Sequence, residues 1–438
     1  KVLEGHDVFF NTGTDEHGQK IAEKAGEHGE DPQAYVDRYA EKFQTLRETL
    51  DLSYTHFIRT TNPHHKAAAQ EFWKRCDAAG DIYKKQYRVK YCVGCELEKT
   101  DSELTDGRCP LHPTKELEVR EEENYFFRFS KYQDALTKLY AERPNFIVPA
   151  SRANEIKAFV ERGLEDFSIS RLKEKMSWGV PVPGDDAHVM YVWFDALINY
   201  ISTTGWPEQE DFGGYWPGVQ IAGKDNLRQQ SAMWQAMLMS AELPPSSTIW
   251  IHGFITSGGQ KMSKSLGNVI DPLTIVSEYG TDALRYFLAR HIHPFEDSDF
   301  TMERFKEAYN ANLANGLGNL VSRIMRLATT HLTEAPAIPA ETIPGEYIDA
   351  LNRFAVHEAA DIVWARIQAL DERIQSEQPF KVVKTDPETG RVMIAELVLA
   401  LYAVAHMLSP LMPKTSATIK TLVKANRMPE APLFLRKE

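Results

Sequence analysis

The sequence predicts an α/β chain: a doubly wound, Rossmann-like parallel sheet, interrupted by a connective segment with a metal knuckle and followed by an all-helical bundle. Three observations predict it. The apolar run Val8-Phe9-Phe10-Asn11-Thr12-Gly13-Thr14 leads into Asp15-Glu16-His17-Gly18 and then into Ile21, Ala22 and Ala25 at helical spacing, which is one strand–helix unit of such a sheet. Two pairs of soft ligands, Cys92-x2-Cys95 and Cys109-x2-His112, stand further along the chain. After Pro294 the pattern turns helical, with Thr301 placed to cap a helix through Tyr309 and apolar residues at three- and four-residue steps from Ala311 to Leu327.

Composition limits the function classes. With 438 residues and 43% hydrophobic content the chain can bury a large core, and the size prior suggests about three domains. A net charge of -12 means that contact with nucleic acid must come from local basic patches. RNA stays open on that count; DNA and membrane partners are not expected. The longest apolar stretch, Met393 to Met412, is interrupted by Glu396 and His406 and reads as a buried amphipathic helix. Four cysteines, three of them in one cluster, fit a reducing compartment, with the cytoplasm the expected location.

Taken in chain order, the first unit points its strand end at Thr12–Gly18, and ligands bind at the carboxyl ends of strands in such sheets. Gly13-x4-Gly18-Gln19-Lys20 approaches a P-loop but lacks the Gly-Lys-Ser/Thr order, and Leu3-Glu4-Gly5-His6 reads as a turn. His64 and His65 point apart on a helix and are assigned no metal, and Cys76 reads as a packed helix residue. Cys92, Cys95, Cys109 and His112 put four donors within reach of one tetrahedral zinc, with Gly94 and Gly107 allowing tight turns. Four protein ligands leave no open position, so the zinc is expected to be structural. In Tyr191-Val192-Trp193-Phe194-Asp195-Ala196-Leu197-Ile198-Asn199-Tyr200, the residues Trp193, Ala196 and Tyr200 are spaced to share a helix face, a plain core face being the simpler alternative.

Lys261-Met262-Ser263-Lys264-Ser265 follows Gly258-Gly259-Gln260 and precedes Leu266-Gly267-Asn268. Two lysines and two hydroxyls on a glycine-flexed loop can close over a triphosphate, because mobile ammonium groups meet the charge developing on a transferring phosphoryl group. Two lysines alone would suit a solvated loop equally well. The full string resembles the signature loop of class I aminoacyl-tRNA synthetases, and Ile249-Trp250-Ile251-His252-Gly253-Phe254 resembles the strand that family places before it. Thr12-Gly13-Thr14-Asp15-Glu16-His17-Gly18 in turn resembles the second conserved strand of the methionyl-tRNA synthetases.

The resemblance implies roles. Asp15 would receive the amino group of the amino acid, and Trp193, Ala196, Leu197, Tyr200 and Trp234 would line the methionine pocket, where aromatic faces suit a thioether. Gln230 stands where the family commonly has histidine, so the polar contact near the sulfur would fall to a glutamine. Gly223 and Asp225 would meet adenosine and ribose; His252, Lys261, Ser263 and Lys264 would meet ATP; Arg171 would face the substrate side. Asn319, Arg323 and Phe380 would read the tRNA anticodon, with Phe380 in the place of the family's usual tryptophan. Pro432-Leu433-Phe434 resembles a closing strand of that domain.

The implied segments are 1–80 and 188–300 for the two catalytic parts, 81–187 for the connective domain and 301–438 for the anticodon-binding bundle. The family's H-x-G-H tetrad is absent, so an N-terminally truncated chain is expected, with an exposed sheet edge and impaired activity on its own. The implied activity is methionine–tRNA ligation from L-methionine, ATP with Mg2+, and tRNA(Met). The alternatives are a non-aminoacylating RNA-binding relative, which intact Lys261, Lys264 and Asp15 argue against, and a cysteinyl enzyme, whose zinc would sit in the active site.

Overall fold

The structure, a computed structural model, describes the chain except residues 96, 100–103, 210–211, 263–266 and 340–342. It divides into two compact units, one formed by residues 1–48 and 52–251, the other by 49–51 and 252–438.

In the first unit the strand Asn11–Thr14 pairs in parallel with His56–Arg59, and the helix Gln19–Glu27 follows it as the sequence predicts. The strand is shorter than the predicted Val8 to Thr14. Phe10 meets its neighbour through the Thr55 hydroxyl, which accepts from Phe10 N at 3.0 Å, and Phe9 stacks on the His56 ring, so the regular ladder starts only at Asn11. A second parallel pair joins Ile147–Val148 to Thr248–His252, with Val219–Gly223 on the far edge of Thr248–His252. Among the described residues no pairing joins the two pieces, so the parallel sheet appears in two parts where the sequence predicts one.

Between them, Ile82–Cys92 and Glu118–Phe127 form a long antiparallel hairpin in register from Ile82↔Phe127 to Tyr91↔Glu118, flanked by Leu97–Lys99 and Phe167–Ser168. A smaller antiparallel sheet places Asp185–Met190 between Ser170–Leu172 and Pro181–Val182. The core of this unit gathers on the helix Pro63–Ala78, where Phe72 stacks on Trp234 at 5.6 Å and meets Trp206 edge-on at 5.8 Å. Cys76 is part of that core, and burial pushes its thiol up to about 12.

In the second unit Thr301 caps the helix Met302–Ala308, its hydroxyl accepting from Arg304 N at 3.3 Å. The predicted continuation is helical but changes winding: Tyr309–Gly318 runs in wide π turns before the regular helix Asn319–His331. Pro387–Leu408 is long and apolar enough to cross a membrane by length and composition, and half of that window lies buried, with Ile394, Leu401 and Leu408 in the bundle core. Pro432-Leu433-Phe434 forms no strand. Pro429 and Pro432 withhold main-chain donors, and the segment is held by Tyr309, whose hydroxyl donates to Leu435 O at 3.0 Å while its ring meets Phe434 edge-on at 6.0 Å.

Candidate functional site

The predicted pocket helix is broken. Val192–Ala196 is one short helix and Asn199–Ser202 another, with the turn at Leu197 and Ile198 between them. Ala196 and Leu197 are buried, Trp193 and Tyr200 half-buried. The Tyr200 ring lies 6.3 Å from that of fully buried Trp234, so the two aromatic walls expected from the sequence do come together.

Gln230 sits in a wide turn of helix, Gln229–Met233, that leads into Trp234–Ser240, and both ends of its amide are engaged. Its Nε2 donates to the Tyr200 hydroxyl at 2.9 Å, and its Oε1 accepts from Gln220 Nε2 at 2.9 Å. Behind it, Gln235 Nε2 donates to the Gln230 carbonyl at 2.9 Å and to Ser246 Oγ at 3.0 Å. The amide nitrogen carries two hydrogens, of which the Tyr200 oxygen engages one, so the sequence expectation of a polar contact from Gln230 is compatible with this arrangement, with the Tyr200 hydroxyl beside it. Burial raises the Tyr200 pKa against the lowering influence of the Gln230 and Gln220 amides, so the phenol keeps its proton at neutral pH.

Asp15 is exposed at the end of its strand, while the next two residues are buried. Glu16 accepts from Arg59 Nε at 2.7 Å and Nη2 at 3.0 Å, from Thr14 Oγ1 at 2.6 Å and from the Thr61 hydroxyl, and its own amide donates to Thr60 Oγ1 at 2.9 Å. His17 Nδ1 lies 2.5 Å from Asp195 Oδ2, and His65 Nε2 lies 2.8 Å from Asp195 Oδ1. His65 Nδ1 is 2.8 Å from Ser202 Oγ, and His64 turns instead to the Ser202 carbonyl at 3.1 Å. With a carboxylate between them, both imidazoles point an N–H at Asp195. Burial pushes the Asp195 carboxyl up, but His17 and then His65 outweigh it and hold the group well below the usual carboxylate range. None of Glu16, His17, His65 or Asp195 was singled out by sequence pattern, because their partners lie too far along the chain.

Arg171 belongs to the strand Ser170–Leu172 and is almost fully buried, not a solvated surface residue. It donates to Ser168 Oγ and to the Ser170 carbonyl, each at 2.7 Å, and its guanidinium lies over the Tyr191 ring at 4.4 Å. Gly223 ends the strand Val219–Gly223, and exposed Asp225 lies in the tight turn Lys224–Asn226 that follows.

The four knuckle residues converge. Cys92 closes its strand at the hairpin tip, and the ligand atoms of Cys92, Cys95, Cys109 and His112 all lie within 4.8 Å of one another. Cys95 Sγ is 3.4 Å from Cys109 Sγ and 3.2 Å from His112 Nδ1, while His112 Nδ1 is 3.8 Å from Cys92 Sγ and 4.0 Å from Cys109 Sγ. Ligands about 2.0–2.3 Å from a tetrahedral centre stand roughly 3.3–3.8 Å apart, close to these separations, so the donor set can hold one metal ion. A Cβ on Gly94 would lie 2.5 Å from the His112 ring, so glycine is needed there for the histidine to close the set.

In the second unit Lys261 ends a hairpin of Ile255–Ser257 with Gln260–Lys261, turned by Gly258 and Gly259 at φ 62° and 72°. Asp299 Oδ1 accepts from Gly259 N at 2.9 Å and from Thr256 Oγ1 at 3.0 Å, which fixes the turn, and Lys261 Nζ lies over the Phe254 ring at 4.5 Å. Ser263 and Lys264 fall outside the described residues. His252 is exposed, with Nδ1 2.8 Å from the Gly253 carbonyl. Asn319 opens its helix exposed, and Arg323, one turn on, is paired with Asp371. Phe380 is 38% exposed in the short helix Pro379–Thr385.

Similarity to known proteins agrees with this arrangement. The family model of the class I (M) tRNA synthetases matches residues 1–117 and 99–325. The methionine–tRNA ligase of Thermosynechococcus vestitus is 42% identical over 95% of this chain and 83% of its own length, and that of Mesorhizobium japonicum 39% over 96% and 84%. The Mycobacterium tuberculosis methionyl-tRNA synthetase in complex with methionyl-adenylate superposes with a TM-score of 0.89 at 35% identity, covering 96% of this chain and 87% of that one. On the family match and on identity sustained over nearly its whole length, the chain belongs to the class I methionyl-tRNA synthetases.

Proposed function

We propose that the chain is a methionine–tRNA ligase that activates L-methionine with ATP and transfers it to tRNA(Met). The methionine carboxylate attacks the α-phosphate of ATP, releasing pyrophosphate, and a terminal tRNA hydroxyl then takes the aminoacyl group from the adenylate. The chain's own part is positioning and charge stabilisation. The observation that carries this reading is the aromatic pair Tyr200–Trp234 joined to the Gln220–Gln230–Tyr200 hydrogen-bond chain, which sets aromatic faces suited to a thioether beside polar hydrogens.

Around it, Asp15 receives the ammonium, and Trp193, Ala196 and Leu197 complete the pocket. Gly223 and Asp225 take the adenosine and ribose. His252, Lys261, Ser263 and Lys264 serve the phosphates, and Arg171 serves the substrate side. Mg2+ bound with ATP shares the phosphate charge. Zinc, held by Cys92, Cys95, Cys109 and His112, has a structural role, supported by a donor set that leaves no open position. Asn319, Arg323 and Phe380 read the anticodon, and four cysteines with no disulfide among them suit a cytoplasmic enzyme.

Methionine-dependent ATP–pyrophosphate exchange tests the reading. Exchange that depends on methionine and not on cysteine is expected, at a reduced rate in a chain without the H-x-G-H tetrad, and Lys261→Ala should lower kcat further by about 10²-fold or more, as loss of one charge-stabilising group does. Exchange indifferent to methionine would overturn it.

A further inference from the structure

We propose that the buried His17–Asp195–His65 bridge is a positioning device that fixes the ammonium-receiving Asp15 against the thioether pocket. The inference rests on the roles assigned above to Asp15 and to Trp193, Ala196 and Tyr200. The two parts of that subsite come from distant stretches of chain. Asp15 directly follows the strand Asn11–Thr14 of the parallel pair, and the pocket is built on the short helices Val192–Ala196 and Asn199–Ser202.

One carboxylate ties them together: Asp195, between Trp193 and Ala196 in the pocket helix, accepts from His17, two residues beyond Asp15. Its second oxygen accepts from His65 on the helix Pro63–Ala78, and His65 is itself steadied by Ser202 in the second pocket helix. The carboxylate and both imidazoles are at most 3% exposed. Glu16 pins the same loop from the other side to Arg59, Thr60 and Thr61. In the stretch 15–17 only Asp15 remains exposed, followed directly by the two anchored residues.

A buried charge network is not the obvious way to stabilise such a junction, because apolar side chains of similar volume often do as well or better. What charge-assisted hydrogen bonds add is direction and distance. Setting a carboxylate against an ammonium while a thioether sits in a shaped pocket needs that accuracy, and a displacement of about 1 Å can cost roughly 10²-fold in rate. The bridge therefore acts on methionine through Asp15, without touching it.

The test separates ammonium recognition from thioether recognition in the purified enzyme. Methioninol keeps the ammonium and lacks the carboxylate; 4-(methylsulfanyl)butanoate keeps the carboxylate and thioether and lacks the ammonium. Inhibition constants for both, against methionine-dependent exchange, are measured for wild type, Asp15→Ala, Asp195→Asn, His17→Leu and His17→Asn, with thermal melting of each variant alongside. Asp195→Asn and His17→Leu should weaken methioninol by roughly ten- to a hundredfold and leave the desamino acid within about twofold, as loss of a supporting partner does. His17→Asn, whose amide nitrogen falls near the place of Nδ1, should restore most of the methioninol affinity.

If Asp15→Ala is selective for methioninol but Asp195→Asn and His17→Leu weaken both inhibitors alike, or neither, the bridge only holds the fold and the inference is overturned. If Asp15→Ala itself shows no selectivity, the assignment of Asp15 fails, and the inference fails with it. Should Asp195→Asn not fold, the His17 pair decides alone: equal methioninol affinity in His17→Leu and His17→Asn overturns it.

Discussion

At the scale of single residues, the departure at Gln230 is narrowed by where its amide goes. Because Gln230 Nε2 gives one hydrogen to the Tyr200 oxygen and Oε1 is held by Gln220, the protons this pair can aim at a substrate are the Tyr200 hydroxyl hydrogen and the second amide hydrogen of Gln230. An apolar pocket separates methionine from norleucine by only about 1–3 kcal/mol, so a directed polar contact should carry part of the preference. Tyr200→Phe should therefore lower the methionine-to-norleucine ratio of kcat/KM, and Gln230→Leu should lower it by a similar factor by letting the hydroxyl rotate. Gln230→Leu should also cost about 1–3 kcal/mol of stability, since the Gln220 amide is left buried with a partner removed. An unchanged ratio in Tyr200→Phe would remove the hydroxyl from sulfur recognition. Sequence alone could flag Gln230 as unusual but not tell which way it points, because its partners, Tyr200 and Gln220, lie on other elements. The His17–Asp195 contact was still further from view, at 178 residues' separation, whereas Asp15 stood in a short local string.

At the scale of elements, the knuckle was the most legible part of the site, because two-residue ligand gaps force a turn whatever the rest of the fold does. What the sequence could not give was its setting at the tip of the Ile82–Cys92 and Glu118–Phe127 hairpin, a pairing that spans the ligand loop itself. Gly94 offers a test that leaves every ligand in place. A methyl group there would sit 2.5 Å from the His112 ring, so Gly94→Ala should lower zinc content well below one per chain and raise protease cleavage across residues 93–112. Gly107, at φ 73° with open space around it, should tolerate alanine with full zinc content at a cost of about 1 kcal/mol. Metal analysis of the two variants side by side checks the claim, and equal zinc in both would mean that His112 is not a ligand. The pocket helix shows the opposite case. Its 3.6-residue spacing was readable, yet the chain breaks it after Ala196, so Tyr200 reaches Trp234 from a separate turn.

At the scale of the molecule, the two units have separate buried cores. The cluster around Phe72 and Trp234 draws only on the first unit, and the cluster around Leu313, Ile324 and Leu401 only on the second. Chains built this way need not unfold in one step, and a ligand stabilises only the part that binds it. The residues assigned to methionine all lie in the first unit. Methionine at about a hundred times its Kd should therefore add about 2.7 kcal/mol to that unit, or roughly 5–11 °C in its transition. Ile324→Ala, at a fully buried position of the helical core, should cost about 2–5 kcal/mol and act on the other transition. The two can be watched separately, because of the eight tryptophans only Trp364 lies in the second unit. Tryptophan fluorescence should then report the methionine-sensitive transition and far-ultraviolet circular dichroism the one moved by Ile324→Ala. If instead a single transition appears by both probes, and methionine and Ile324→Ala each shift the whole of it, the two cores are energetically one, and the separation drawn from their residues does not hold in solution.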